Sequence, residues 1–130
     1  MAHLLAMFLA AIIFVFLEAS SGEIETGITV VTDFVYDDRK NNNTERVVLQ
    51  KITEATNMNA SNVKIIKKET KEVDGFFTAI YNVTTPSCQE VSGFAVQVMK
   101  NFSPVIFIRY KCPGEAEMEF LRNLNLGLNI

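Results

Sequence analysis

Gln89-Glu90-Val91-Ser92-Gly93-Phe94-Ala95-Val96-Gln97-Val98-Met99-Lys100 is the stretch on which the fold turns, because its apolar residues satisfy two periods at once. Val91, Phe94, Ala95, Val98 and Met99 recur at helical spacing, whereas Phe94, Val96 and Val98 alternate as they would on a strand. Gly93 weakens the helical reading by about 1 kcal/mol relative to alanine. As a helix the stretch completes a βαββαβ order. As a strand it leaves one helix held against a meander of antiparallel strands. Both outcomes belong to the α+β class.

The elements before it are clearer. Phe76 to Thr84 alternates, with Phe77, Ala79, Tyr81 and Val83 on one face and Thr78 and Asn82 on the other. Val63 to Lys68 is strand-like and should pair with it through a hairpin at Asp74-Gly75, since both residue types tolerate positive φ. Val48, Leu49, Ile52 and Ala55 mark one face of a helix over about 44–56 that ends at Asn57. Ile28 to Tyr36 reads as the first strand, with Ile28, Val30, Phe34 and Tyr36 on one face, Thr32 interrupting it and Asp37-Asp38 in the turn that follows. After the ambiguous stretch, Pro104 opens a strand over Val105 to Tyr110 with Ile106, Ile108 and Tyr110 on one face. Pro113-Gly114 closes that strand. Met118, Leu121 and Leu124 then suit a short amphipathic helix, and Leu126, Leu128 and Ile130 an alternating extended segment.

The chain is laid out for export. Leu4 to Leu17 is an uninterrupted apolar run followed by Ala19, Ser20, Ser21 and Gly22, the pattern of a signal peptide cut after Ser21 or Gly22. The run is too short to cross about 30 Å of hydrocarbon as a helix, so no membrane insertion is expected after cleavage. The expected organisation is a signal peptide at 1–21, one domain at 22–112 and a C-terminal extension at 113–130. Asn42, Asn59, Asn82 and Asn101 each head an N-x-[ST] sequon, as suits a secreted glycoprotein. Cys88 and Cys112 are the only cysteines, and in an oxidising compartment they pair as one disulfide worth about 3 kcal/mol in the chain-entropy model.

The same residues exclude several function classes. His3, the one histidine, falls in the signal segment, so no imidazole is left to activate a serine or cysteine, and no catalytic residues are assigned. With the cysteines paired and the acidic residues not spaced as oxygen ligands, neither a metal site nor a cofactor is expected. A net charge of −3 with scattered basic residues gives no nucleic-acid footprint. About 108 residues have room for one core, and a monomer is expected.

At Lys71-Glu72-Val73-Asp74-Gly75, flanked by Lys67-Lys68-Glu69-Thr70 and by Thr84-Thr85-Pro86-Ser87-Cys88, about seventy residues resemble a secreted cystatin. That resemblance implies one long helix packed on an antiparallel sheet of four or five strands. The ferredoxin-like βαββαβ sandwich is the alternative. It also implies a wedge that fills the cleft of a papain-like cysteine protease without being cut. Lys71, Glu72, Val73, Asp74 and Gly75 would form the central tip, Gly27 would belong to the N-terminal trunk, and Lys100, Asn101 and Phe102 would lie in a second hairpin. Val73 and Gly75 match the family's Q-x-V-x-G tip, whereas Lys71 and Asp74 depart from it and the chain has no tryptophan for the second hairpin. Asn57 falls where some cystatins present an asparagine to legumain-type proteases, though a helix-capping role is the blander and weightier reading. The implied function is non-covalent inhibition of papain-like cysteine proteases. The alternative is a non-inhibitory secreted module that binds another extracellular protein.

Overall fold

A computed structural model describes residues 23–58 and 61–122. The expected signal segment, Asn59, Leu124, Leu126, Leu128 and Ile130 lie outside the described residues. The first strand, β1 (Ile24–Val35), begins four residues before the predicted Ile28 and lies at the centre of the sheet. Its alternation buries Ile28 and Val30 completely. Thr32, which breaks the apolar face, is also buried and donates its hydroxyl to the Phe77 carbonyl oxygen at 2.7 Å, so its polar atom is satisfied.

The hairpin forms as the sequence predicts. β2 (Lys64–Val73) and β3 (Phe76–Thr85) are joined by Asp74 and Gly75, both with positive φ (53° and 85°), the turn geometry that matches strand twist. Phe77, Ala79, Tyr81 and Val83 are all buried, as their alternation requires. β4 (Val105–Tyr110) pairs with the other edge of β1. A bulge there sets Thr32 opposite Val105 and Val31 opposite Phe107, so Val105, with Ile108 and Tyr110, fills the core in place of the predicted Ile106. The sheet has five antiparallel strands in the order β2-β3-β1-β4-β5.

Helix α1 (Asn41–Thr56) starts three residues before the predicted Thr44, because the preceding turn folds on side-chain acceptors. Asp37 Oδ1 accepts from the Arg39 amide and Asn41 Oδ1 from the Asp37 amide, both at 2.9 Å. The helix ends on Asn57 in the left-handed region (φ 51°), with its amide donating to the Glu54 and Thr53 carbonyls. This is the capping role expected of that residue.

The deciding stretch is a helix, α2 (Cys88–Asn101). This corrects the single-helix arrangement implied by the cystatin resemblance and gives the βαββαβ order of the alternative. The physical reason lies in what each period buries. The helix puts Val91, Phe94, Ala95 and Val98 into the core, whereas the strand period would have buried Val96, which is 43 % exposed. Each large apolar side chain removed from water contributes about 1.5–3 kcal/mol, which outweighs the ~1 kcal/mol propensity cost of Gly93. Both helices pack on one face of the sheet, and the core lies between.

Residues beyond β4 join the sheet. Cys112 bonds Cys88, tying the chain after β4 to the first residue of α2 with Cα atoms 5.9 Å apart. Met118 and Leu121, read as part of a helix, instead lie in the edge strand β5 (Met118–Leu121), because pairing with β4 stacks Phe120 on Tyr110 against the core. The described part of the expected extension is thus a piece of the domain.

Candidate functional site

The three parts of the expected wedge can be placed individually. Lys71, Glu72 and Val73 are the last residues of β2, and Asp74-Gly75 is the turn that joins it to β3. The Gly75 carbonyl accepts from the Tyr36 amide at 2.9 Å, which fixes the turn against the end of β1. Gly27 is not in a free trunk. It lies within β1 opposite Asn82, seven residues along β3 from Gly75, or about 23 Å at strand rise. The sheet forms there because Thr26 and Ile28 on either side are buried, which draws Gly27 into the ladder. Lys100, Asn101 and Phe102 are not a second hairpin. Lys100 and Asn101 form the last turn of α2, and Phe102 is buried against Phe34 with ring centroids 6.4 Å apart. The structure therefore has a hairpin turn at Asp74-Gly75 but does not bring Gly27 or a second hairpin at Lys100 to Phe102 beside it.

Among the described residues, no helix packs on the face of the sheet opposite α1 and α2. Strand registers place Lys71, Thr78, Val31, Phe107 and Leu121 in one row across all five strands. Val73, Phe76 and Val35 form the next row toward the hairpin tip, and Glu69, Ile80, Thr29, Arg109 and Glu119 the next away from it. Leu121 is 74 % exposed and Val35 73 %, so the two ends of these rows stand largely in water, whereas Thr78 and Val31 between them are buried and Phe76 and Phe107 half-buried. The Arg109 guanidinium lies 5.1 Å from the Phe107 ring centroid, and its Nε lies 3.1 Å from a Glu119 carboxylate oxygen and 3.4 Å from one of Glu117. A charged rim thus borders the apolar rows on one side. On the opposite edge Lys64, Lys67, Lys68 and Lys71 line β2, where a bulge at Ile66 also breaks the register, and such an edge discourages strand addition.

This patch was only half visible in the sequence. Alternation showed that the strands have two faces, but Val31, Phe76, Phe107 and Leu121 gather only once the order β2-β3-β1-β4-β5 is known. The sequons also separate. Asn42 is exposed in the first turn of α1 and Asn82 lies on the face of β3 opposite the helices. Asn101 donates through Nδ2 to the Ala55 carbonyl (3.0 Å) and to Gln97 Oε1 (2.9 Å). Among the described residues no group of His, Cys, Asp or Glu is arranged to hold a metal ion, and no helix is long and apolar enough to cross a membrane.

Among solved structures, the chain is similar to the ACT domain from GTP pyrophosphokinase of Chlorobium tepidum, at 16 % identity and a TM-score of 0.45 over 68 % of this chain and 99 % of that one. It is also similar to the de novo designed protein Foldit4, at 11 % identity and a TM-score of 0.46 over 72 % of this chain and 99 % of that one. No curated protein matches the sequence. A family model described as secreted clade V proteins matches residues 26–119, from early in the described β1 into β5, and this family takes the place of the cystatin resemblance. The chain belongs to the secreted clade V proteins, and it is a secreted, extracellular protein.

Proposed function

We propose that this protein is a non-catalytic binding module that engages another extracellular protein through the face of its sheet opposite the two helices. The observation that carries the reading is the pair of apolar rows running through Val73, Phe76 and Val35 and through Thr78, Val31, Phe107 and Leu121. Apolar surface with a polar rim is what protein interfaces present, and the exposure of Val35 and Leu121 to water is a cost the folded chain carries until they are covered. The face is also preorganised. It is built on strands whose other side is the core, so binding orders little backbone.

Secreted protein bearing Leu121→Glu, Val35→Lys or Phe107→Ser is compared with wild type for binding to extracellular proteins, with Arg46→Glu on the exposed surface of α1 as control. A partner retained by wild type and Arg46→Glu but lost by the face variants supports the reading. A partner retained equally by all four variants overturns it. Sedimentation of wild type alone tests whether the occupant is a second copy, in which case the face variants are monomeric where wild type is not.

One observation favours protease inhibition as a second reading, namely the tight Asp74-Gly75 turn that places Val73 at the end of the hairpin. Stoichiometric inhibition of papain or a cathepsin L-type protease, lost in Gly75→Trp, would support it. Asp74 opposes it, because a carboxylate carried into a cleft without a partner costs on the order of several kcal/mol in lost hydration.

A further inference from the structure

Asn82 and Gly27 face each other across the β3–β1 ladder on the side of the sheet opposite the helices. A Cβ built on Gly27 comes within 3.3 Å of Asn82 Oδ1, tighter than ordinary van der Waals contact. Glycine at position 27 therefore leaves an opening beside the Asn82 amide that any other residue would crowd. Two residues on, Thr84 points to the same side, while Val83 between them is buried in the core. Asn82-Val83-Thr84 thus keeps both residues that define the sequon half-exposed on one side of the sheet and buries only the middle one.

We propose that Asn82 carries an N-linked oligosaccharide that stands on that sheet face in the opening left by Gly27. The chemistry is a glycosyl transfer within the secretory compartment. A bond forms between Asn82 Nδ2 and the anomeric carbon of the first N-acetylhexosamine of a lipid-diphosphate-linked oligosaccharide. The bond from that carbon to the diphosphate oxygen breaks, the lipid diphosphate departs, and the amide gives up one proton. β3 is hydrogen-bonded to a neighbour on each side, so the transfer takes place before β1 and β2 close on it.

The placement separates Asn82 from Asn101. Both hydrogens of the Asn101 amide are committed, one to the Ala55 carbonyl at the end of α1 and one to Gln97, and a sugar on that nitrogen would remove one of these bonds. The placement also bears on that face. Asn82 lies four residues along β3 from Thr78, or about 13 Å, so the sugar is attached at the Gly27 end of the face, away from the hairpin. The site does not depend on whether the apolar rows bind a partner.

The full chain is secreted from eukaryotic cells, its Cys88–Cys112 bond is verified, and it is treated with peptide N-glycosidase in oxygen-18 water before peptide mass analysis. The expected result is Asn82 recovered as labelled aspartate. Thr84→Ala should abolish the label together with one step of gel mobility, and Thr84→Ser should keep both. Should Thr84→Ala fail to be secreted, Asn82→Gln is read for the same loss of one gel step. An unlabelled Asn82 in secreted, disulfide-bonded wild type overturns the proposal, and so does a label that survives Thr84→Ala.

Discussion

Arg122 is bonded to the end of α2: its Nη2 donates to the Met99 and Phe102 carbonyl oxygens, and its Nε to the Val105 carbonyl at 2.7 Å. Its own amide donates to Ile106 at 2.9 Å, so the residue after β5 closes both the helix and the strand ladder. The last carbonyls of a helix lack intrahelical donors and carry partial negative charge, and a guanidinium there satisfies both demands. Arg122→Ala should lower stability by about 1.5–3 kcal/mol, the range for hydrogen bonds to a charged group. Thermal unfolding checks this, with a drop of several degrees expected for a domain of this size. An unchanged midpoint would mean that the bonds are replaced by water at no cost.

Gly75 makes the second prediction. Its φ of 85° lies where a side chain is strained, although nothing stands within 4 Å of an added Cβ. The whole effect of Gly75→Ala should therefore be backbone strain, about 1 kcal/mol of destabilisation, and none of it steric. Asp74→Asn, at φ 53°, should be neutral or slightly stabilising, because asparagine tolerates this conformation at least as well. Denaturant midpoints should place Asp74→Asn at or above wild type and Gly75→Ala below it.

These two sites mark what the sequence did and did not disclose. The hairpin was legible because Asp-Gly between alternating strands is a local signal, fixed by the conformations those two residues permit. The capping role of Asn57 and the Cys88–Cys112 pairing were legible for similarly local reasons. Gly27 misled because the N-terminal strand begins at Ile24 and its partner, around Asn82, lies 55 residues away in sequence. The Arg122 contacts, the edge strand β5 and the apolar rows opposite the helices also depend on pairings between distant segments, and no local pattern encodes those. The Gln89 to Lys100 stretch was ambiguous for the complementary reason. Two periods fitted it locally, and only the available core surface chose between them.

Tyr81 leads to a pH prediction. Its side chain is wholly buried, and among the described residues its hydroxyl has no hydrogen-bond partner. Burial raises its pKa well above the ordinary tyrosine value, and the nearby Glu45 carboxylate adds to the shift. A phenol whose folded pKa exceeds its unfolded value contributes stability that is complete below the unfolded value of 10.0 and is lost as pH rises above it. Wild type should therefore lose stability above about pH 10, and Tyr81→Phe should flatten that limb of the profile. At neutral pH the substitution should be neutral or stabilising by up to about 1 kcal/mol, since it removes an unpaired buried hydroxyl. Thermal midpoints across pH 7 to 11 check both statements. Destabilisation by Tyr81→Phe at pH 7 would show that the hydroxyl has a partner, such as an ordered water.

Gly93 tests the element that decided the fold. It sits in the interior of α2 without positive φ, and nothing lies within 4 Å of an added Cβ. Glycine was the strongest local argument against a helix here, and the structure shows no steric reason for it. Gly93→Ala should therefore stabilise the protein by about 0.4–1 kcal/mol, through helix propensity and a less flexible unfolded chain. Two companions separate the helix from the strand reading. Val98→Ala, at a fully buried position, should cost about 2–3 kcal/mol, whereas Val96→Ala, on the exposed side, should stay within about 0.5 kcal/mol. A strand over the same residues would bury Val96 and Val98 alike, so its signature is two comparable losses, with no gain from alanine at position 93. Chemical denaturation of the three variants gives the pattern directly, because only the helix predicts one gain, one large loss and one near-zero change within six consecutive residues.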